Sequence, residues 1–244
     1  MKNNTKTIST TMMRKAVSSA KMLAAAVMGT FFLASCDQLG DLDGVIPGGG
    51  NMPGKEMKMY KVQLNPLNNS GVTGTATVMM KENGEFEVIT DIEGLVPNMV
   101  HPQHIHGFVM ENMADKDAMC PPPSAGGADG LLTLEEGQPF YGPILIPLDD
   151  KLVPLTAENF PVATSAGTIS YGGKVMTSSL VSAFDAMHNG TQTMKDLELD
   201  KRVIVIHGAY VINNAIVPAN SNRVQYAKYM ATLPVACGEL VEMK

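Results

Sequence analysis

Polar and apolar residues alternate in twos over much of this chain. "MYKVQL" (59–64) and "VTGTATVMM" (72–80) carry the alternation, and it returns in "EFEVITDIE" (85–93) after the turn residues "KENG". Two alternating runs around a short polar turn predict a β-hairpin. "QHIHGFVM" (103–110), "YGPILIPL" (141–148), "GTISYGGKV" (167–175), "RVIVIHGAYVI" (202–212) and "LPVACGEL" (233–240) add further strands. One stretch, "SSLVSAFDAMHNG" (178–190), has helical spacing and a stop at Asn189-Gly190. Many short strands with Gly/Pro turns between them predict an all-β domain, an antiparallel sandwich or barrel with one short helix in a long connection. There is no internal repeat, no nucleotide-binding glycine loop and no Ser or Cys in a nucleophile-elbow context.

The first 35 residues follow a different rule. Lys2, Lys6, Arg14, Lys15 and Lys21 precede an apolar run from Met22 to Leu33. That run is too short for a stable bilayer span and reads as a secretory signal. It ends in Leu33-Ala34-Ser35-Cys36, which resembles the bacterial lipobox. The resemblance implies cleavage before Cys36, lipid on its thiol, and a place in the bacterial cell envelope with the membrane as partner through that anchor. Residues 36–56, rich in Gly, Pro and Asp, read as a flexible tether, and 57–244 as one domain long enough for a single core.

Cleavage changes the charge balance. Losing five of the 18 basic residues leaves 13 Lys+Arg against 24 Asp+Glu, a net charge of −11. So acidic a chain excludes nucleic acid or an anionic membrane surface as the expected partner. Two cysteines remain, Cys120 and Cys237. In an exported protein they read most economically as one disulfide, the alternative being two buried free thiols.

Candidate chemistry centres on "VHPQHIHGF" (100–108). His104 and His106 are two apart on a strand and leave the same face. Such a pair can hold one metal ion with two imidazoles, the usual ligands of copper and zinc. His207, inside the apolar run "VIVIHGAY", is the candidate third ligand, unless it is neutral and hydrogen-bonded to backbone. A shared ion predicts that the three nitrogens converge to within ~4 Å. Met110, Met113 and Met119 follow closely, and thioether sulfur suits Cu(I), although methionine is also core filler. His188 reads as a surface residue or cap. A weak calcium loop is a further candidate: Asp129, Thr133 and Glu136 fit ligand positions around Gly130, whereas Ala125 and Gly127 supply no oxygen where two more are needed.

"GVTGTATVMMKENGEFEVITDIEGLVPNMVHPQHIHGF" resembles the opening strands of copper/zinc superoxide dismutases, where a G-L-x-P turn leads into a histidine motif of this spacing. "KRVIVIHGAY" is similar to that family's late metal-binding strand, and "LPVACGEL" to its terminal strand. The resemblance implies an antiparallel Greek-key β-sandwich or barrel. It also implies copper ligands at His104, His106 and His207, a structural brace at His101, and a disulfide between Cys120 and Cys237.

The chain also departs from that family. Gly127 and Ala128 stand near the position of its metal-bridging histidine, and no histidine occurs between His106 and His188 to serve zinc. Pro234 stands where the family has its guiding arginine. Losing the bridging imidazole and the guiding cation removes a proton relay and electrostatic steering, so efficient dismutation is not expected. "QHIHG" (103–107) and "YGPILIPL" also resemble chordin-type (CHRD) domains of bacterial envelope proteins, which lack the zinc loop. The expectation is an envelope lipoprotein binding a single copper ion, without zinc. A metal-free structural module and a superoxide dismutase are the alternatives.

Overall fold

Each strand of the first hairpin buries alternate side chains, as a period of two requires. In the computed structural model, β1 (Lys58–Pro66) buries Tyr60, Val62 and Leu64, and β2 (Thr73–Met80) buries Ala76, Val78 and Met80. In β3 (Glu85–Glu93), Phe86, Val88, Thr90 and Ile92 point inward between more exposed neighbours. The structure describes residues 57–109, 116–156, 159–187 and 195–244. Residues 1–56, on which the expected signal, Cys36 and the expected tether fall, lie outside the described residues, as do Met110, Met113 and His188.

The chain then crosses to a second half. β4 (Gln103–His106) pairs with β5 (Ile144–Pro147), and the return connection brings β6 (Ile169–Met176) back beside β3. After helix α2 (Thr177–Met187), β7 (Val203–Ile212) pairs with β4 on one side and β9 (Lys228–Glu239) on the other. The order is β5-β4-β7-β9-β1-β2-β3-β6, with short strands β8 (Ala215–Val217) beside β7 and β10 (Val241–Glu242) beside β1. β1 joins the halves: Lys58–Leu64 pairs with β2, while Asn65 and Pro66 pair with β9. Every pairing is antiparallel, and the sheet curls into a half-barrel of all-β class with Greek-key crossings. Ile105, Ile204 and Ile206 meet Val62, Phe86 and Val88 in the core between the halves.

Three expectations need correction. α2 matches the helical run at 178–190, but a second helix, α1 (Leu134–Tyr141), precedes β5. Tyr141 therefore closes a helix instead of opening the strand expected at 141–148. The strand at 103–110 stops after His106, and β9 begins at Lys228, five residues before the expected 233. At Gly107, a Cβ would stand 2.4 Å from Cδ of Arg202, so the chain turns there under a buried arginine instead of continuing as sheet. Nη1 of Arg202 donates to the Phe108 carbonyl.

β4 and most of β7 are buried on both faces. Inward residues join the core; the outward Val203 and Val205 pack with Ala118, Tyr141 and Cys237 in a second cluster. The cover over that outer face is the segment running from Lys116 through α1, and the sequence pins it at several points. Thr133 and Glu136 form a reciprocal capping box that starts α1. The Asn68 side chain accepts from Leu132 N and donates to the Leu132 and Pro234 carbonyls. Cys120 and Cys237 form a disulfide, 117 residues apart in sequence, that ties the cover to β9. A cross-link of that span stabilises by about 4–5 kcal/mol in the chain-entropy view. The double variant Cys120→Ala/Cys237→Ala is expected to lose about 2–5 kcal/mol in denaturant unfolding; a loss below ~1 kcal/mol would show that the cover holds without it.

Candidate metal centre

The register of β4 against β7 assembles the histidines. His104 stands opposite Val205 and His106 opposite Val203, and a register shift follows at His207. With a side-chain period of two, Val203, Val205 and His207 share the outer face with His104 and His106. One candidate ligand atom from each of the three histidines lies within 4.8 Å of the other two. Two nitrogens each 2.0–2.1 Å from one ion can stand at most about 4.2 Å apart, so the widest pair must close by roughly half an ångström. A small rotation of one imidazole ring covers that difference. The convergence is real but looser than the expected ~4 Å.

All three rings are nearly out of contact with solvent, at 5% for His104, 1% for His106 and 2% for His207. Nδ1 of His106 lies 3.0 Å from the Gly142 carbonyl, and Nδ1 of His207 lies 2.9 Å from the Thr232 carbonyl. Facing acceptors, both Nδ1 atoms carry the proton, which leaves Nε2 of each ring with a bare lone pair. His104 Nδ1, His106 Nε2 and His207 Nε2 are buried without a hydrogen-bond partner among the described residues. Each such atom costs about 1–3 kcal/mol if nothing satisfies it. The alternative expected for His207, a backbone hydrogen bond, therefore holds for one nitrogen and leaves the other to be explained.

Burial also fixes protonation. It pushes His106 down to about 3, with a further push from His207, and His207 down to about 4. His104 is held well below its ordinary value, first by burial and then by the charges that His207 and His106 would carry. The rings are therefore neutral at pH 7, the form that binds metal.

His101 is fully buried beside them but belongs to the frame. Its Nδ1 lies 2.9 Å from the His207 carbonyl and its Nε2 3.1 Å from the Val96 carbonyl. Burial lowers its pKa, so the neutral ring donates from one nitrogen only, and the tautomer decides which contact is made. Tyr229 packs edge-on against His101 and donates to the Val100 carbonyl. Gly208 permits this closeness: its φ is +110°, and a Cβ there would clash with the Tyr229 hydroxyl and stand 2.9 Å from His101 Nδ1.

Several neighbours of the centre carry no signal in the sequence. The ring of Tyr141, at the end of α1, meets His106 edge-on at 4.8 Å, and the Phe160 ring meets His104 at 4.9 Å. Gly142, the C-cap of α1, supplies the carbonyl for His106. The Thr133/Glu136 spacing could have announced α1, since it is also the signature of a capping box.

Other candidate groups lie elsewhere or serve other roles. Glu136 accepts from Thr133, and Asp129 accepts from Leu131 N and Asn214, so these carboxylates are occupied by a helix cap and a turn. Met119 is exposed. Pro234 stands opposite His207, so the position where the resemblance expects a cation is apolar. A groove of about 530 Å³ beside the disulfide, lined by Asn68, the prolines 121–123 and Glu239, contains none of the histidines.

The fold and site together define an all-β half-barrel with three clustered histidines able to hold one metal ion. Comparison with known proteins finds no family model that matches the chain and no curated protein that matches its sequence.

Neutral buried histidines tie the stability of the metal-free protein to pH. The unfolded chain takes up protons near 6.5, whereas folded His207 and His106 resist until about 4 and about 3. The unfolded state thus binds more protons in that interval, and stability falls as pH falls, by up to about 1.4 kcal/mol per unit for each such group. Metal-free protein is expected to show a falling denaturation midpoint from pH 6.5 toward 4, and a smaller fall in His106→Gln. A flat profile over that window would refute neutral rings in the folded protein.

Proposed function

We propose that this protein is a lipid-anchored protein of the bacterial cell envelope that binds a single copper ion through His104, His106 and His207. The observation that carries the reading is a trio of buried imidazoles, each with one partnerless nitrogen, that bring one candidate ligand atom apiece within 4.8 Å of the others. A purely structural triad would leave up to three unmet acceptors, several kcal/mol of cost that one ion removes. All-nitrogen neutral ligands suit copper or zinc by chemistry. The order and spacing of the histidine motifs, which resemble those of copper/zinc superoxide dismutases and CHRD domains, favour copper, and no histidine between His106 and His188 is present to serve zinc. In the tautomer protonated at Nδ1, His101 donates to the His207 carbonyl and so steadies the backbone that carries this ligand.

The centre stores or relays the ion instead of turning over superoxide rapidly. The ligands are nearly sealed, and the position facing His207 is a proline. A fast dismutase needs an entry route and a cation to steer its anionic substrate.

Titration of the metal-free protein with Cu(II) is expected to give one equivalent of binding and a spin-resonance spectrum with nitrogen hyperfine structure. His106→Ala and His207→Ala should each lose that spectrum, and dismutase activity should stay near that of free copper. Failure of the unsubstituted protein to bind either Cu(II) or, under anaerobic conditions, Cu(I) would leave a metal-free structural module; a fast saturable rate would restore the dismutase reading. The anchor is tested separately. Full-length protein should partition into detergent, and Cys36→Ala should move it to the aqueous phase; equal partitioning of the two would remove the lipid from the account.

A further inference from the structure

Three histidine ligands by themselves would leave a fourth position open on a bound ion. The surroundings of His104 change that picture. His104 keeps the largest residual exposure of the three, 5% against 1% and 2%, so its side is the least sealed part of the centre. Phe160 stands there, half-buried, with its ring edge-on to His104 at a centroid distance of 4.9 Å.

Phe160 is held in place by the backbone around it. Pro161 O accepts from His101 N, Val162 bridges to Val100, Ala163 N donates to Met99 O, and Asn98 N donates to Ala163 O. The segment carrying the phenyl ring is therefore stapled to the segment that leads into β4 and its histidines. On the other side, Tyr141 closes against His106, its hydroxyl turned away to the Leu134 carbonyl at 3.1 Å. The ligand set contains no carboxylate or thiolate, so the loaded centre carries the full charge of its ion. Desolvation rises steeply with charge, and an apolar, anion-free pocket penalises a doubly charged ion far more than a singly charged one.

From these observations we infer that Phe160 is the specificity-determining residue of the centre: by covering the His104 side it withholds a fourth ligand and selects Cu(I) over Cu(II) and Zn(II). The inference rests on the copper reading above and adds to it the oxidation state and the residue that sets it. Phe160 touches a ligand, not the ion, and acts by exclusion.

The test uses the unsubstituted protein, Phe160→Ala, and Phe160→Leu, which keeps an apolar cover. Anaerobic competition against a chromophoric Cu(I) chelator gives the Cu(I) affinity. Titration followed by spin resonance, with and without azide, gives the Cu(II) affinity and shows whether a small anion reaches the ion. The unsubstituted protein should prefer Cu(I), and azide should leave its Cu(II) spectrum unchanged. Phe160→Ala should admit azide, with a changed spectrum, and shift the Cu(I)-to-Cu(II) preference by about tenfold toward Cu(II), the scale on which groups behind the ligands act. Phe160→Leu should behave as the unsubstituted protein.

If azide alters the unsubstituted spectrum as strongly as that of Phe160→Ala, or the preference is the same in all three, Phe160 is not the selector although copper still binds. If neither ion binds the unsubstituted protein, the copper reading falls and this inference with it. Should Phe160→Ala not fold, Phe160→Val takes its place: azide reaching the ion in that variant but not in the unsubstituted protein supports the inference, and exclusion from both overturns it.

Discussion

The antiparallel pairing of β4 with β7 is the constraint on which the centre depends. It joins residues a hundred positions apart, and its register puts His104 and His106 on the same face as His207. A slip of one residue in either strand would turn the histidines into the hydrophobic core and bring Ile105 or Ile206 out in their place. The core prevents that slip. Ile105, Ile204 and Ile206 are fully buried on the opposite face, so the packing that stabilises the half-barrel also fixes where the histidines point.

An ordinary antiparallel sheet leaves one face to water. Here the outer face of β4 and β7 is covered by the segment from Lys116 to Tyr141, and that cover separates a chemical site from a row of surface histidines. Exposed imidazoles would titrate near their ordinary values and bond to water. Beneath α1 and the disulfide they stay neutral, keep their lone pairs bare, and are aimed by carbonyls of Gly142 and Thr232. The cover thus does for affinity what the strand register does for geometry.

Strands whose two faces differ were legible in the sequence, and β1 to β3 follow the expected spans within a few residues. The ligand candidates were legible for the same reason, because a two-residue spacing on a strand fixes a shared face. α1 was not. Gly137 and Pro139 break its helical pattern, and its length of eight residues is held by a capping box and tertiary contacts more than by propensity. Thr133 and Glu136 were visible as oxygen-bearing residues at a regular spacing, and the same residues serve a helix start as readily as an ion loop. Phe160 and Tyr141 could not be placed beside the histidines at all. Their positions follow from which loop crosses which strand, and local patterning does not encode that.

The distance in sequence between the two halves of the centre has a consequence for the order of events as the chain is made. A chain emerging from the ribosome, or threaded through a membrane pore, presents His104 and His106 long before His207. Until residues past Val203 have appeared, β4 lacks its central neighbour, and Cys120 has no partner to fasten the cover. The metal site is therefore among the last features to form, since long-range pairings close slowly and only after their intervening chain is in place. An ion captured by the early pair of histidines would sit in an open, two-ligand setting unlike the finished one. Any loading of the three histidines would thus be coupled to completion of the fold.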